Sequence, residues 1–376
     1  MGTVNVIYNV AFGLFITLAS FGHHNSGPVI IDRCPSYELL YPCYCNSIPS
    51  DNKDTDNTCH ADTGILTYNC QIPVITCIGH KLDTLNEIFD KVSKNIFNIR
   101  YRKFQWFYLI DNGLTVLRHG VFEKLHFRNI YIKSCPNLRF INETAFGSGN
   151  GYYTRNVFIN ATSLSDEPLL RRATFKALSK LRNLDVLEIQ TSNFTLIPFK
   201  AFNRNTNMRI IRFHNPDTKQ KLQTIGSRAF YKANRLTEID LKNNHISLVK
   251  PFAFQFQQES THEVKVFLSA NSLHSNSFAV NSLLGGNGRN ITLYLGDYNN
   301  CNSQLTTLPQ KVFEPFLLEN VGNVIDMYGC PLLCDQRIEW LTFHLDRYQK
   351  QVRNLVCLTH DQDRFLSKDN YYHVLI

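Results

Sequence analysis

Apolar residues recur through the middle of the chain at offsets that fit neither a continuous helix nor a continuous strand. One stretch runs Phe104-x-x-Phe107-x-Leu109-x-x-Asn112-x-Leu114-x-x-Leu117-x-x-x-x-Phe122-x-x-Leu125. A second runs Leu236-x-x-Ile239-x-Leu241-x-x-Asn244-x-Ile246-x-x-Val249-x-x-x-x-Phe254, and the two agree at every apolar position that they share. Alternation such as Ile239-Asp240-Leu241 predicts a short strand with two side chains turned inward and the middle one outward. Less regular coils lie between, through Ile130, Ile132 and Leu138, then Val157, Ile159 and Leu164, then Leu187, Ile189 and Ile197, then Ile211, Phe213 and Ile225. Phe122, Phe146, Phe175, Phe202, Phe230 and Phe254 mark one place in successive turns. With insertions, the template persists from Val264 to Leu273 and from Ile291 to Phe313. About eight coils result, above the three or so that a stacked array needs.

The template resembles the leucine-rich repeat, and that resemblance implies an α/β solenoid, a horseshoe whose concave face is a parallel sheet. The chain divides on this reading into a leader at 1–22, a cysteine-rich cap at 23–80, the coils at 81–320 and a second cap at 321–376. The bend after each strand buries backbone polar groups, which an Asn amide satisfies because it both donates and accepts. Asn112, Asn244 and Asn271 stand at that bend, and Cys135 and Ser192 take the same place. Cys135 therefore reads as a buried weak donor in preference to a reactive thiol. The spaced phenylalanines fill the convex side.

Residues 1–22 carry no charged side chain and include the apolar run Val10–Leu18, which reads as a secretory leader cut after Gly22, with a signal anchor as the alternative. No later segment is apolar for long enough to span a bilayer. Secretion makes disulfides the default for the cysteines. Cys34, Cys43, Cys45, Cys59, Cys70 and Cys77 cluster at one end, Cys301, Cys330, Cys334 and Cys357 at the other, and Cys135 stands alone. Sequons at Asn142, Asn160, Asn193 and Asn290 suit an extracellular glycoprotein.

A solenoid exposes apolar surface at both ends and needs caps. Cys34-Pro35 followed by Pro42-Cys43-Tyr44-Cys45 resembles the N-terminal cap of such proteins, which implies Cys34 with Cys45 and Cys43 with Cys77, leaving Cys59 with Cys70. Cys330-Pro331-Leu332-Leu333-Cys334-Asp335-Gln336 resembles the C-terminal cap, with Gln336 where a cysteine usually stands. That resemblance is compatible with a Cys334–Cys357 bridge, and Cys301 and Cys330, on adjacent coils, could bridge those coils, with the connectivity left open. The Cys34–Cys45 pattern, the Leu82…Ile88-Phe89 stretch and the Asn112-Gly113-Leu114…Gly120-Val121-Phe122 coil together resemble the secreted arthropod leucine-rich repeat proteins typified by the non-catalytic subunit of oplophorus-luciferin 2-monooxygenase. In that family the repeat chain accompanies a small catalytic partner.

Composition adds limits. With 43% hydrophobic and 19% charged residues the chain is built to fold. Its net charge of +8 is scattered, which does not indicate nucleic-acid binding. No enzyme signature holds: His262-Glu263 lacks a second His at metalloprotease spacing, and neither a nucleophile elbow nor a phosphate loop occurs. Gly147–Gly151 reads as a connecting loop, and the acidic stretch 51–56 as a solvated insertion and not a calcium loop. No cofactor, metal or catalytic residue is expected.

Recognition is what remains. The middle strand residues Tyr108, Tyr131, Phe158, Glu188, Arg212, Asp240, Phe267 and Tyr294 point to the concave face, with Trp106 beside them. The first three coils thus present an aromatic platform and the next three are charged. Aromatic side chains make good contact hot spots, though exposed Tyr is also simply a good strand former. The expected partner is an extracellular protein ligand or a small secreted catalytic subunit; a matrix role in which the basic charge holds acidic glycans is a further alternative.

Overall fold

The computed structural model describes residues 34–49, 71–79, 84–96, 102–111, 113–190, 192–215, 222–297, 300–302 and 304–358. The expected leader at 1–22, the acidic stretch 51–56, Cys59, Cys70, Leu82 and Asn112 lie outside the described residues.

Twelve strands form one sheet in chain order. They are β1 (Cys43–Pro49), β2 (Gln71–Gly79), β3 (Lys103–Asp111), β4 (His126–Cys135), β5 (Asn156–Thr162), β6 (Val186–Gln190), β7 (Ile210–His214), β8 (Glu238–Asp240), β9 (Val264–Phe267), β10 (Ile291–Tyr294), β11 (Val324–Asp326) and β12 (Val352–Arg353). From β2 to β12 every neighbouring pair is parallel. The exception to an all-parallel sheet is β1, which runs antiparallel to β2. An antiparallel edge strand needs no helical crossover.

The inward positions fall into strict register. Ile75, Phe107, Ile130, Val157, Leu187, Ile211, Ile239, Val266, Leu293, Ile325 and Val352 pair from strand to strand. All of them are buried. Each contributes roughly 1.5–3 kcal/mol when fully removed from water. The fold is a leucine-rich repeat solenoid.

Behind the sheet, the coil backs vary. Helix α1 (Leu85–Asn95) buries Leu85, Ile88, Phe89 and Val92, one face at helical spacing. Its Phe89 ring lies 5.6 Å from that of the strand residue Phe107. Helix α2 (Pro168–Ser179) starts on Pro168, whose fixed φ suits a first helical turn, and brings Phe175 within 5.7 Å of Phe202. Helix α3 (Gln310–Glu319) buries Phe313, whose ring meets Phe278 at 5.1 Å. The six spaced phenylalanines are all buried, as a spine: Phe122 stacks on Phe146 at 5.2 Å, Phe202 on Phe230 at 5.8 Å, and Phe230 on Phe254 at 5.9 Å.

Asparagines rail the bend after the strands. Asn244 Nδ2 donates to the carbonyls of Phe213, Leu241 and Lys242. Asn271 Nδ2 donates to those of Leu241, Leu268 and Ser269, and its Oδ1 accepts from Ile246 N. Two members escape the sequence pattern: Asn215, which accepts from Ser192 N, and Asn302, which accepts from Asn271 N and donates to Leu268 and Leu295. Cys135 Sγ sits in the rail, 3.4 Å from Lys133 O and 3.8 Å from Leu109 O. A second rail precedes the strands, and it corrects the reading of 147–151 as a loop. Ser148–Tyr153 is a short helix whose buried Asn150 donates to Phe122 and Leu125 carbonyls and accepts from Phe127 N, because those groups would otherwise be sealed without partners.

Four disulfides close the ends among the described residues: Cys34–Cys45, Cys43–Cys77, Cys301–Cys330 and Cys334–Cys357. Cys43 and Cys77 are direct cross-strand partners of β1 and β2.

Candidate interaction surface

The residues between the inward positions make a second ladder on the opposite sheet face. Thr76, Tyr108, Tyr131, Phe158, Glu188, Arg212, Asp240, Phe267, Tyr294 and Asp326 lie in direct strand-to-strand register. Because the strand period is two, this row follows once the inward row is set.

Four rings gather at its N-terminal end. Trp106 stacks on Tyr108, centroids 5.5 Å apart and planes 12° apart. It also stacks on Phe158 two strands away, at 6.4 Å. Tyr131 closes the group edge-on, 5.7 Å from Tyr108 and 6.1 Å from Phe158. All four are half-buried. Burial first, and then the neighbouring Tyr131, holds the Tyr108 hydroxyl above its ordinary pKa, so it stays a neutral donor. Beside the rings, Asn156 Nδ2 donates to Asn129 Oδ1 at 2.6 Å, and Asn129 Nδ2 to Gln105 O at 3.0 Å. A smaller aromatic pair, Phe267 on Tyr294 at 4.5 Å, lies further along, with Lys242 Nζ 5.2 Å from the Phe267 centroid.

The charges between the two aromatic groups are committed to one another. Arg212 lies between Glu238 at 2.8 Å and Glu188 at 3.5 Å. Burial pulls its pKa down, but the hydrogen bond and charge of Glu238, joined by Glu188, outweigh that and hold it above its ordinary value. Gln190 donates to Glu188 as well. Asp240 is only 7% exposed, beneath His214 at 3.5 Å and Lys242 at 3.6 Å, so it is not the open charge that its place in the pattern suggested.

Lys133, Asn160, Gln190 and His214 form a third row on this face. The Asn160 sequon therefore flanks the four rings, one row across. Asn142, Asn193 and Asn290 lie outside the principal sheet. Cys135 has no part in the surface: burial pushes its thiol up to about 11. Among the described residues no group of three or more His, Cys, Asp or Glu side chains is placed to hold a metal ion, and no helix is long and apolar enough to cross a membrane.

No protein-family model matches this sequence, and no curated protein sequence matches it. Among solved structures, a chain of the Drosophila Toll–Spatzle complex in its glycosylated form is similar over 72% of this chain and 34% of its own, with 15% identity and a TM-score of 0.42. This chain thus spans about a third of that one's length. Human 5T4, also called Wnt-activated inhibitory factor 1 or trophoblast glycoprotein, is similar over 77% of this chain and 89% of its own, with 15% identity and a TM-score of 0.35.

Several participants on this face were not singled out from the sequence. Glu238 lies at an ordinary strand start in register with Ile210, and only the diagonal reach of the Arg212 side chain across the strand pair makes it a partner. Asn129 and Asn156 share a row with Trp106, a signal that the alternation contains once strand ends are placed.

Proposed function

We propose that this chain is a secreted leucine-rich repeat protein that binds an extracellular protein through the sheet face carrying Trp106, Tyr108, Tyr131 and Phe158. The four-ring group carries the reading: half-exposed aromatic side chains in mutual contact offer a large area at low entropic cost. The paired charges beside it favour a ligand whose apolar anchors meet the rings and whose polar groups meet Arg212, Glu188 and Glu238. The chain has no catalytic role on this reading. The leader at 1–22, the bridges at both ends and the four sequons support the extracellular setting.

The test is a Trp106→Ala/Tyr131→Ala double variant of the mature protein, immobilised and exposed to native extracellular fluid. Loss of a specific protein that the wild type retains, with the unfolding midpoint nearly unchanged, is expected. Equal retention moves the site elsewhere.

The cap pattern that resembles the luciferin monooxygenase subunit favours a second reading, an accessory chain of a secreted enzyme. Mild purification separates the two, since an accessory chain elutes with a small catalytic protein in fixed proportion.

A further inference from the structure

Among the described residues, one arginine is buried without a counter-charge. Arg289, two residues before β10, is 1% exposed. Its Nη2 reaches back across two coils, donating to Asn234 O at 2.6 Å and to Gln258 O at 3.3 Å. Its guanidinium lies 4.7 Å from the centroid of the Phe256 ring. Nε and Nη1 are buried, and neither meets an acceptor among the described residues. Burial pushes its pKa down, and no neighbouring carboxylate counters that. Arg209 and Arg212, by contrast, are matched: Arg209 has Asp185 at 2.6 Å, and Arg212 has Glu238 and Glu188. A buried cation with unmet donors is strongly unfavourable unless something answers it.

Arg289 lines a pocket of about 370 Å³ that crosses the chain segments leading into β7, β8, β9 and β10. Its other walls include Arg235, His262, Asn207 and Ser260, and its single carboxylate is the exposed Glu259. Two arginines, an imidazole and neutral donors beside one carboxylate make a cavity suited to negative charge.

We propose that this pocket is an oxyanion site, in which Arg289 and Arg235 hold a sulfate-type group, either a free ion or one carried on a sulfated sugar. Gln258 and Glu259, exposed on the segment 257–263 outside any helix or strand, line the same pocket, and on this proposal their side chains must turn aside for the ion to reach Arg289. The site lies off the aromatic face, so it stands or falls independently of the proposed protein binding.

Thermal unfolding of the full mature chain in low-millimolar sodium sulfate, at ionic strength held constant with sodium chloride, tests it. The wild type should show a saturable rise in midpoint, about 2–4 °C at tenfold the half-saturating concentration. Arg289→Met should keep only the shallow, non-saturating rise that sulfate gives any folded protein. Arg235→Gln should raise the half-saturating concentration severalfold, and Glu259→Gln should lower it. If Arg289→Met fails to fold, the two other variants still decide by calorimetric titration with sulfate. Competition by a sulfated disaccharide assigns the group to a sugar; a free-ion effect without competition assigns it to the ion. A wild-type response parallel to that of Arg289→Met, or titrations unmoved by both Arg235→Gln and Glu259→Gln, overturns the proposal.

Discussion

The side-chain amide of Asn215 donates to the side-chain oxygen of Asn244 on the next coil, at 3.1 Å, which links two rungs of the rail at the strand-end bend. Asn244 in turn answers three backbone carbonyls from its buried position. Asn244→Ala leaves those carbonyls sealed without donors, at a cost of about 2–4 kcal/mol, since each unmet buried group costs about 1–3. Asn244→Asp, of the same shape but lacking the amide donor, should be similarly harmful. Urea unfolding midpoints check both.

The phenylalanine spine makes a graded prediction. Phe202 is fully buried between Phe175 and Phe230, so Phe202→Ala should destabilise by about 3–5 kcal/mol through lost burial and a residual cavity. Phe199, three residues earlier and 58% exposed, is the control. Its replacement by Ala should stay within about 0.5 kcal/mol in the same assay.

Cys135 should resist thiol reagents at neutral pH in the native protein and react fully only on denaturation, because burial holds its pKa at about 11. The sign of the pH effect follows. Between the ordinary thiol value of 9.0 and about 11, the unfolded chain has lost this proton and the folded chain retains it. The contribution of Cys135 to stability is therefore complete below pH 9.0 and declines as pH rises towards 11. Cys135→Ser should flatten that decline in alkaline unfolding curves.

Gly296 passes so close to the C-terminal cap that an added Cβ would lie 2.2 Å from Tyr328 O and 2.9 Å from Cys330 Sγ. Gly296→Ala should force the backbone away from the Cys301–Cys330 bridge. The expected result is faster reduction of that bridge by dithiothreitol and a lower unfolding midpoint than wild type.

The amino-acid sequence alone determined the solenoid, because its information is local. Alternation across three or five residues says which side chains turn inward, and repetition of Phe122, Phe146, Phe175, Phe202, Phe230 and Phe254 says that the same turn recurs. The outward row from Tyr108 to Tyr294 follows from the same parity. Tertiary structure decided what those residues meet. Asn215 and Asn302 fall outside the spacing that the apolar template sets, so only the folded bend shows them in the rail. Arg212 finds Glu238, Trp106 finds Phe158 across two strands, and Arg289 finds Asn234 at a separation of 55 residues. Such partnerships depend on register and coil height, and these are set by the packing of the whole stack, which no local pattern encodes.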